Sequence, residues 1–212
     1  MLFRSAENNL RVQNQQRLAG VSAKLVNKGE VSFFSTLECG RLPADFKVVD
    51  EQALADIILS YGAIDPVEHP GALVLCPCNL YLGMGCNRGA KAVDFELAVT
   101  ELCAQYRLDR RAIAGIASID LKADEAGLLQ FAHENNLPLH FYIAEELNRV
   151  EGVSHSAAVM TATGAKGVAE PAAMLAAGDG SISGQRGQLI VRKIKWKDVT
   201  AAVAEKKLPD MA

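Results

Sequence analysis

The pattern of apolar and polar positions changes rhythm about a third of the way along the chain. Two short apolar runs, 21–26 and 31–34, flank Asn27-Lys28-Gly29-Glu30, and that turn chemistry predicts a β-hairpin. The preceding segment, 8–18, predicts a helix. Residues 46–49 predict a strand, and Asp50 stands where it can cap a helix with an apolar face of Ala53, Leu54, Ile57, Ile58 and Tyr61, ended by Gly62. Residues 63–71 contain Pro66 and Pro70 without periodicity and read as a linker or surface loop.

Beyond residue 71 strands and helices alternate. Extended apolar runs at 72–75 and 79–82 precede Phe95, Ala98, Val99, Leu102 and Tyr106, which repeat at helical spacing. A buried strand is expected at 112–117, a helix carrying Leu128, Phe131 and Ala132 after Asp124 and Glu125, a strand at 137–142 and a short helix at 145–150. A further helix runs through 171–177 and stops at Gly178; a Gly- and Ser-rich turn at 178–187 leads to a hairpin of 189–191 with 199–204. The expected fold is α/β: an open, largely parallel or mixed sheet covered by helices, with a C-terminal hairpin and a smaller N-terminal α/β unit. The expected division is 1–71 and 72–212. Ligands of such sheets sit beyond the C-terminal ends of the strands.

The chain has 212 residues, 50% of them hydrophobic, enough to bury a sizeable core. A formal charge of −3 removes any global attraction to nucleic acid or acidic membranes, so a polyanionic ligand needs a local basic patch. No uncharged apolar stretch is long enough to span a bilayer, and the expected location is the cytoplasm. The five cysteines are an odd set, read as reduced thiols. Cys76, Cys78 and Cys86 match no standard zinc spacing and have no histidine nearby, so no protein metal site is expected.

Three loops carry candidate chemistry. In NLYLGMGCNRGAKA (79–92) an apolar run breaks into Gly83, Gly85 and Gly89 before a helix, which suits an anion held by backbone N–H groups. The spacing Gly-x-Gly-x-x-x-Gly misses the dinucleotide fingerprint by one residue, and Lys91 is not followed by Ser or Thr, which disfavours a nucleotide. Arg88 offers a fork for a carboxylate, and Cys86 near a helix start is a candidate for a lowered pKa. The simpler reading of this loop is a tight strand-to-helix turn.

The second loop, ASIDLKADEAG (117–127), places Ser118, Asp120, Lys122, Asp124 and Glu125 directly after a buried strand, where catalytic groups collect. Asp124 and Glu125 are also explained by the helix dipole, Ser118 and Asp120 less so. The third, TGAKGVAE (163–170), is a second glycine loop, with Thr163, Gly164 and Gly167 before a helix start and Glu170 as an ordinary first-turn residue. Together the glycine loops predict an anion-lined crevice. Arg192, Lys193, Lys195 and Lys197 form the one dense basic run, able to contact carboxylates or to guard an edge strand. Of His69, His133, His140 and His155, only His155, in the 153–156 loop, is placed for a mobile general base; a surface histidine is the simpler reading.

The motifs NLYLGMGCNRGAKA, GIASIDLKADEAGLLQFA, LPLHFYIAEELNRV, TGAKGVAEPAAMLAAG and LIVRKIKWKDVTAAVA, in this order over 79–204, closely resemble the C-terminal domain of the cobalamin biosynthesis family CbiG and its shorter relatives, the CobE proteins. NNLRVQNQQRLAG and LPADFKVVD resemble the middle region of CbiG more weakly. The sequence departs from the family pattern at Cys76-Pro77-Cys78, where a basic residue is usual, and in the 153–156 loop. CbiG proteins usually carry a further N-terminal domain ahead of the middle region, where this sequence has Met1.

The resemblance implies an enzyme of the anaerobic route to the corrin ring that hydrolyses the ring A δ-lactone of cobalt-precorrin-5A and releases acetaldehyde to give cobalt-precorrin-5B. It implies no separate cofactor, cobalt being carried in the substrate. Asp120 or Glu125 is then the expected proton carrier, and Ser118, Lys122 and the loop amides orient the substrate and hold the oxyanion. Gly83, Gly85, Cys86, Arg88, Gly89, Lys122, Thr163, Gly164 and Gly167 are the expected substrate-binding set. The expected partners are the tetrapyrrole, a separate N-terminal domain protein or other cobalamin pathway enzymes, and a second copy of the chain, with no nucleic acid or membrane. The alternative is a non-catalytic carrier of corrinoid intermediates.

Overall fold

Ile57, Ile58 and Leu59 are consecutive apolar residues, all wholly buried, and such a run forms a central strand sealed on both faces. In the computed structural model, which describes residues 9–65, 67–178 and 186–211, they form β4 of a first sheet. Its strands are β1 (Leu10–Val12), β2 (Val31–Ser35), β3 (Phe46–Val48), β4 (Ile57–Leu59) and β5 (Leu73–Pro77), in the order β1-β5-β4-β2-β3. β2, β3, β4 and β5 pair in parallel, and β1 runs antiparallel along β5. Alternation sends Ile57, Leu59, Leu73 and Leu75 to one core, with Val21 of helix α1 (Leu18–Lys28), and Ile58 and Val74 to another.

This unit departs from the expected elements in three places. Residues 21–26 belong to α1 rather than to a hairpin strand, because Gly29, at φ +73°, ends a helix by giving its N–H to Leu25 O at 2.8 Å. The expected helix after Asp50 is a 3₁₀ turn at Gln52–Leu54 followed by β4, since parallel neighbours on both sides outweigh helical spacing in so short a run. The expected helix at 8–18 is instead β1 and a 3₁₀ turn at Gln15–Arg17, recruited by the free edge of β5; residue 8 lies outside the described residues. The compact unit comprises Met1–Cys78, Arg107–Ala112 and Leu208–Ala212. The expected division after residue 71 thus precedes the observed one by the length of β5, whose register with β4 and β1 ties it to the first sheet.

The second unit, Asn79–Tyr106 and Ile113–Lys207, holds the other sheet. Its elements are β6 (Leu80–Cys86), α2 (Ala92–Tyr106), β7 (Ile113–Ile119), α3 (Ala126–Glu134), β8 (Leu139–Tyr142), α4 (Ala144–Asn148), α5 (Ala157–Thr163), α6 (Ala169–Ala176), β9 (Gln188–Lys195) and β10 (Val199–Glu205). The strand order is β8-β7-β6-β10-β9, with β6, β7 and β8 parallel and the β9–β10 hairpin antiparallel to β6. This is the expected α/β class, with a mixed sheet and a C-terminal hairpin. Helix α5 is additional to the expected elements; Ser156 caps it by accepting the Val159 N–H at 3.5 Å. Most of the 178–187 turn, residues 179–185, lies outside the described residues.

Helix α6 lies directly on β6. A Cβ on Gly83 would collide with the backbone carbonyl of Ala169 and the backbone nitrogen of Ala173, so only glycine allows this approach. Ala169, Ala172 and Ala173 are all buried, and these small side chains bring the helix down on the sheet. The approach sets the end of β6 and the start of α6 beside one another, which positions the site. Among the described residues, no helix is long and apolar enough to cross a membrane.

Candidate functional site

The parallel strands β6 and β7 end at Cys86 and Ile119, and the chain leaves both through polar loops at the same edge of the sheet. There the second unit opens a cleft of about 540 Å³. The end of β6 contributes Gly85, Cys86, Asn87 and Arg88; the end of β7 contributes Ile119, Leu121 and Lys122. Ala158, Val159, Ala162 and Thr163 come from one face of α5, Gly167 to Ala169 from the start of α6, and residues 193 and 195–200 from the β9–β10 hairpin. Arg88, Lys122, Lys193, Lys195 and Lys197 are set against a single lining carboxylate, Asp198. An acidic protein has thus gathered positive charge at one place, which suits a polyanion.

Behind the cleft an ion cluster holds the glycine loop. Glu125, buried at the start of α3, accepts the Gly89 N–H at 2.8 Å with one oxygen. Its other oxygen stands 3.4 Å from Lys122 Nζ and 3.7 Å from an Arg88 nitrogen. Arg88 also pairs with Asp124 and donates to the Leu121 carbonyl at 2.8 Å. Lys122 is largely buried, and its ammonium also reaches the Cys86 thiol. Burial pushes that thiol above its ordinary value against the pull of Lys122, so the lowered pKa expected from its place near a helix start is not found.

A second carboxylate organises the other side of the cleft. Glu170 in the first turn of α6 is buried and accepts from the Lys193 N–H at 2.9 Å, the Ser154 hydroxyl at 3.0 Å and the Ser154 N–H. Burial works to raise its pKa, but these donors outweigh burial and hold the carboxyl below its ordinary range. Glu170 therefore pins the 154 loop and strand β9 to α6. Sequence reasoning took it for an ordinary helix-start residue. The signal that separates it, Ser154 and Lys193 converging on one residue, exists only in three dimensions.

The structure brings together Gly85, Cys86, Arg88, Lys122, Thr163 and Gly167 along the cleft. It does not bring in Gly83, which serves the α6 contact, or Gly164, which ends α5. Gly89 acts through its N–H on Glu125. Of the three expected catalytic residues, none lines the cleft. Ser118 is wholly buried, its hydroxyl donating to the Met84 carbonyl at 2.7 Å, because β-strand alternation turns it to the opposite face from Ala117 and Ile119. Asp120 is exposed and accepts the Leu121 N–H at 2.8 Å; Glu125 lies behind Lys122. His155 is exposed, and neither it nor any other histidine lines the cleft. Cys76 and Cys78 belong to the first unit, where burial pushes the Cys76 thiol up to about 12.

Among the lining residues that sequence reasoning missed are Asn87, Trp196 and Asp198. Asp198, in the hairpin turn, accepts from Asn87 Nδ2 at 3.0 Å and also binds the Asn87 N–H through its own carbonyl at 2.9 Å. Trp196 in the same turn lines the cleft and donates its indole N–H to Glu101 at 2.7 Å. An Asn four residues past Gly83 and an Asp after a basic run have no recognisable spacing. Pairing of β10 with β6 joins them.

Residues 80–204 match the family described as "Cobalamin synthesis G C-terminus". A cobalt-precorrin-5A hydrolase of Priestia megaterium is 36% identical over 211 residues, covering 91% of this chain and 54% of that protein, so the chain spans about half the length of that relative. Protein CobE of a Sinorhizobium species is 30% identical over 139 residues, 65% of this chain and 86% of CobE. The fold is similar to the crystal structure of CobE, "a protein from the cobalamin (vitamin B12) biosynthetic pathway", with TM-score 0.55 and 28% identity over 62% of this chain and 92% of that one.

Proposed function

The chain belongs to the cobalamin synthesis G C-terminal family, a family of cobalamin biosynthesis, and on that premise we propose that its cleft binds cobalt-precorrin-5A and hydrolyses the ring A δ-lactone. The products are acetaldehyde and cobalt-precorrin-5B. The observation that carries the reading is the excess of cations in the cleft, with Arg88, Lys122, Lys193, Lys195 and Lys197 facing a ligand ringed by acetate and propionate arms. The cobalt enters within the macrocycle, and no protein ligand to it forms part of the proposal.

In the proposed step, water adds to the lactone carbonyl and the ring C–O bond breaks. The acyl carbon becomes a carboxylate and the ring oxygen a hydroxyl on the extruded meso carbon. That hydroxyl then loses its proton and becomes the aldehyde C=O as the carbon–carbon bond to the macrocycle breaks. The electron pair passes into the conjugated macrocycle, which takes up a proton, and the meso carbon departs with its methyl group as acetaldehyde. Lys122, held by Glu125, stabilises the developing oxyanion, a contribution of the size found for a single oxyanion donor, about 3 kcal/mol. Asp198, the carboxylate lining the cleft, takes the water proton, oriented by Asn87. Asp120 lies at the exposed end of β7 and competes for this role from outside the lining.

Anaerobic incubation of the full chain with cobalt-precorrin-5A tests the proposal. Release of acetaldehyde and cobalt-precorrin-5B, lost in Lys122→Met and reduced at least tenfold in Asp198→Asn, is the expected result. Full activity in Asp198→Asn and loss in Asp120→Asn returns the proton role to Asp120. The likeness to CobE, of which the chain covers most, favours one second reading, a binding module for corrinoid intermediates. Tight binding without turnover selects it, and absence of binding overturns both.

A further inference from the structure

The β9–β10 hairpin holds the one tryptophan of the chain. The Trp196 backbone N–H closes the turn onto the Val199 carbonyl at 2.8 Å, and its indole N–H is anchored at 2.7 Å by Glu101, from α2. The polar edge of the ring is thereby satisfied, and Trp196 is among the residues that line the cleft. Lys193, Lys195 and Lys197 of the same hairpin are also among the residues that line the cleft. Among the described residues, none of the three ammonium groups has a carboxylate at ion-pair distance, whereas Arg88 and Lys122, at the other loops, are already paired.

Guarding of an edge strand accounts for lysines on β9, which is the outermost strand of its sheet. It does not account for a tryptophan that lines the cleft with its indole N–H bonded to a residue of a helix. An inorganic anion or a small acid would use the lysines and leave the indole, and the apolar face of α5 with Ala158, Val159 and Ala162, without a purpose. A ligand that combines a broad apolar flank with an acidic periphery uses all of them.

We infer that the hairpin is the specificity element of the cleft: Trp196 packs against the flank of a macrocycle, and Lys193, Lys195 and Lys197, whose ammonium groups have no ion-pair partner among the described residues, take its peripheral carboxylates. The inference rests on the tetrapyrrole reading of the cleft. It makes Trp196 a residue that selects a ring over an acyclic polycarboxylate, and it separates the cations into two sets. Lys122 and Arg88 reach the cleft while held by internal carboxylates; the hairpin lysines reach it without one among the described residues.

The test is a comparison of two probes on the full chain: cobyrinic acid, a corrin ringed with carboxylates, and citrate. The unmodified protein should bind cobyrinic acid far more tightly than citrate, and bound cobyrinic acid should protect Trp196 from N-bromosuccinimide, which citrate should not do. Trp196→Ala should weaken cobyrinic acid binding about tenfold, the size of one aromatic stacking contact, while citrate affinity is unchanged, and Trp196→Phe should restore most of the loss. Equal oxidation of Trp196 with and without bound cobyrinic acid, or equal affinity of Trp196→Ala and the unmodified chain, overturns the inference and leaves the tetrapyrrole reading standing. Failure of the unmodified chain to bind cobyrinic acid overturns both.

Discussion

Glu125 accepts the backbone N–H of Gly89 at 2.8 Å, and this bond ties the start of α3 to the loop that leaves β6. The glycine loop therefore keeps its shape through an internal carboxylate. Its N–H group, which in isolation suits an external anion, already holds one from within the chain.

Removal of that carboxylate is expected to be costly. Glu125→Ala leaves the largely buried Lys122 without its partner and the Gly89 N–H without an acceptor, a loss of about 3–5 kcal/mol in urea unfolding. Glu125→Gln keeps an acceptor for Gly89 and should lose less. Equal stability of Glu125→Ala and the unmodified chain would sink this account of the cluster.

Two glycines should respond oppositely to alanine. Gly83→Ala drives a methyl into the Ala169 carbonyl of α6 and should cost about 1–3 kcal/mol or more, since backbone atoms cannot step aside. Gly20 lies within α1 with nothing within 4 Å of an added Cβ, so Gly20→Ala should stabilise by about 1 kcal/mol. Thermal unfolding of the two variants reads both signs.

Glu170 should make the second unit acid-sensitive. Its carboxyl is held below the ordinary value of 4.5, so its stabilisation is complete above that pH and is lost as the pH falls through the lower folded value. Glu170→Gln should be about 2–3 kcal/mol less stable at neutral pH and should show a shallower loss of stability in acid. Parallel stability-versus-pH curves for the two proteins would contradict this assignment.

Ser118 distinguishes a structural hydroxyl from a catalytic one. Ser118→Ala removes the 2.7 Å bond to the Met84 carbonyl and should cost about 1 kcal/mol, with turnover of cobalt-precorrin-5A unchanged. A large fall in kcat without a change in Tm would restore Ser118 to the reaction.

The second half of the molecule was legible because its strands and helices are strongly periodic and alternate. Phe95, Ala98, Val99 and Leu102 of α2, and Leu128, Phe131 and Ala132 of α3, are buried as their spacing requires. The first third was misread at short elements, where local signals conflict. Gly29 suits a hairpin turn and a helix cap equally, and Ile57-Ile58-Leu59 fits one helix turn or one buried strand. Such ambiguities are resolved by neighbours, here β2 and β5 on the two sides of β4. At the site, residue order marks the loops, and the placement of each side chain within them follows from the fold. Ser118 and Lys122 sit four residues apart in the chain, yet one is sealed in the sheet and the other faces the cleft.

Residue order alone carried the α/β class, the family and the three loops, after β6, after β7 and before α6, that edge the cleft. These follow from local periodicity, glycine placement and motif order, which a linear chain carries in full. Only the tertiary structure decided that Glu125 and Glu170 are internal anchors and that Asp198 and Trp196 line the cleft. It also decided that the hairpin lysines share the cleft with Arg88, more than a hundred residues away along the chain. Those assignments depend on which face a strand turns inward and on the antiparallel pairing of β10 with β6, where Thr200 stands opposite Gly85. Burial and long-range partners set the role of a charged side chain, and neither is written in its neighbours along the chain.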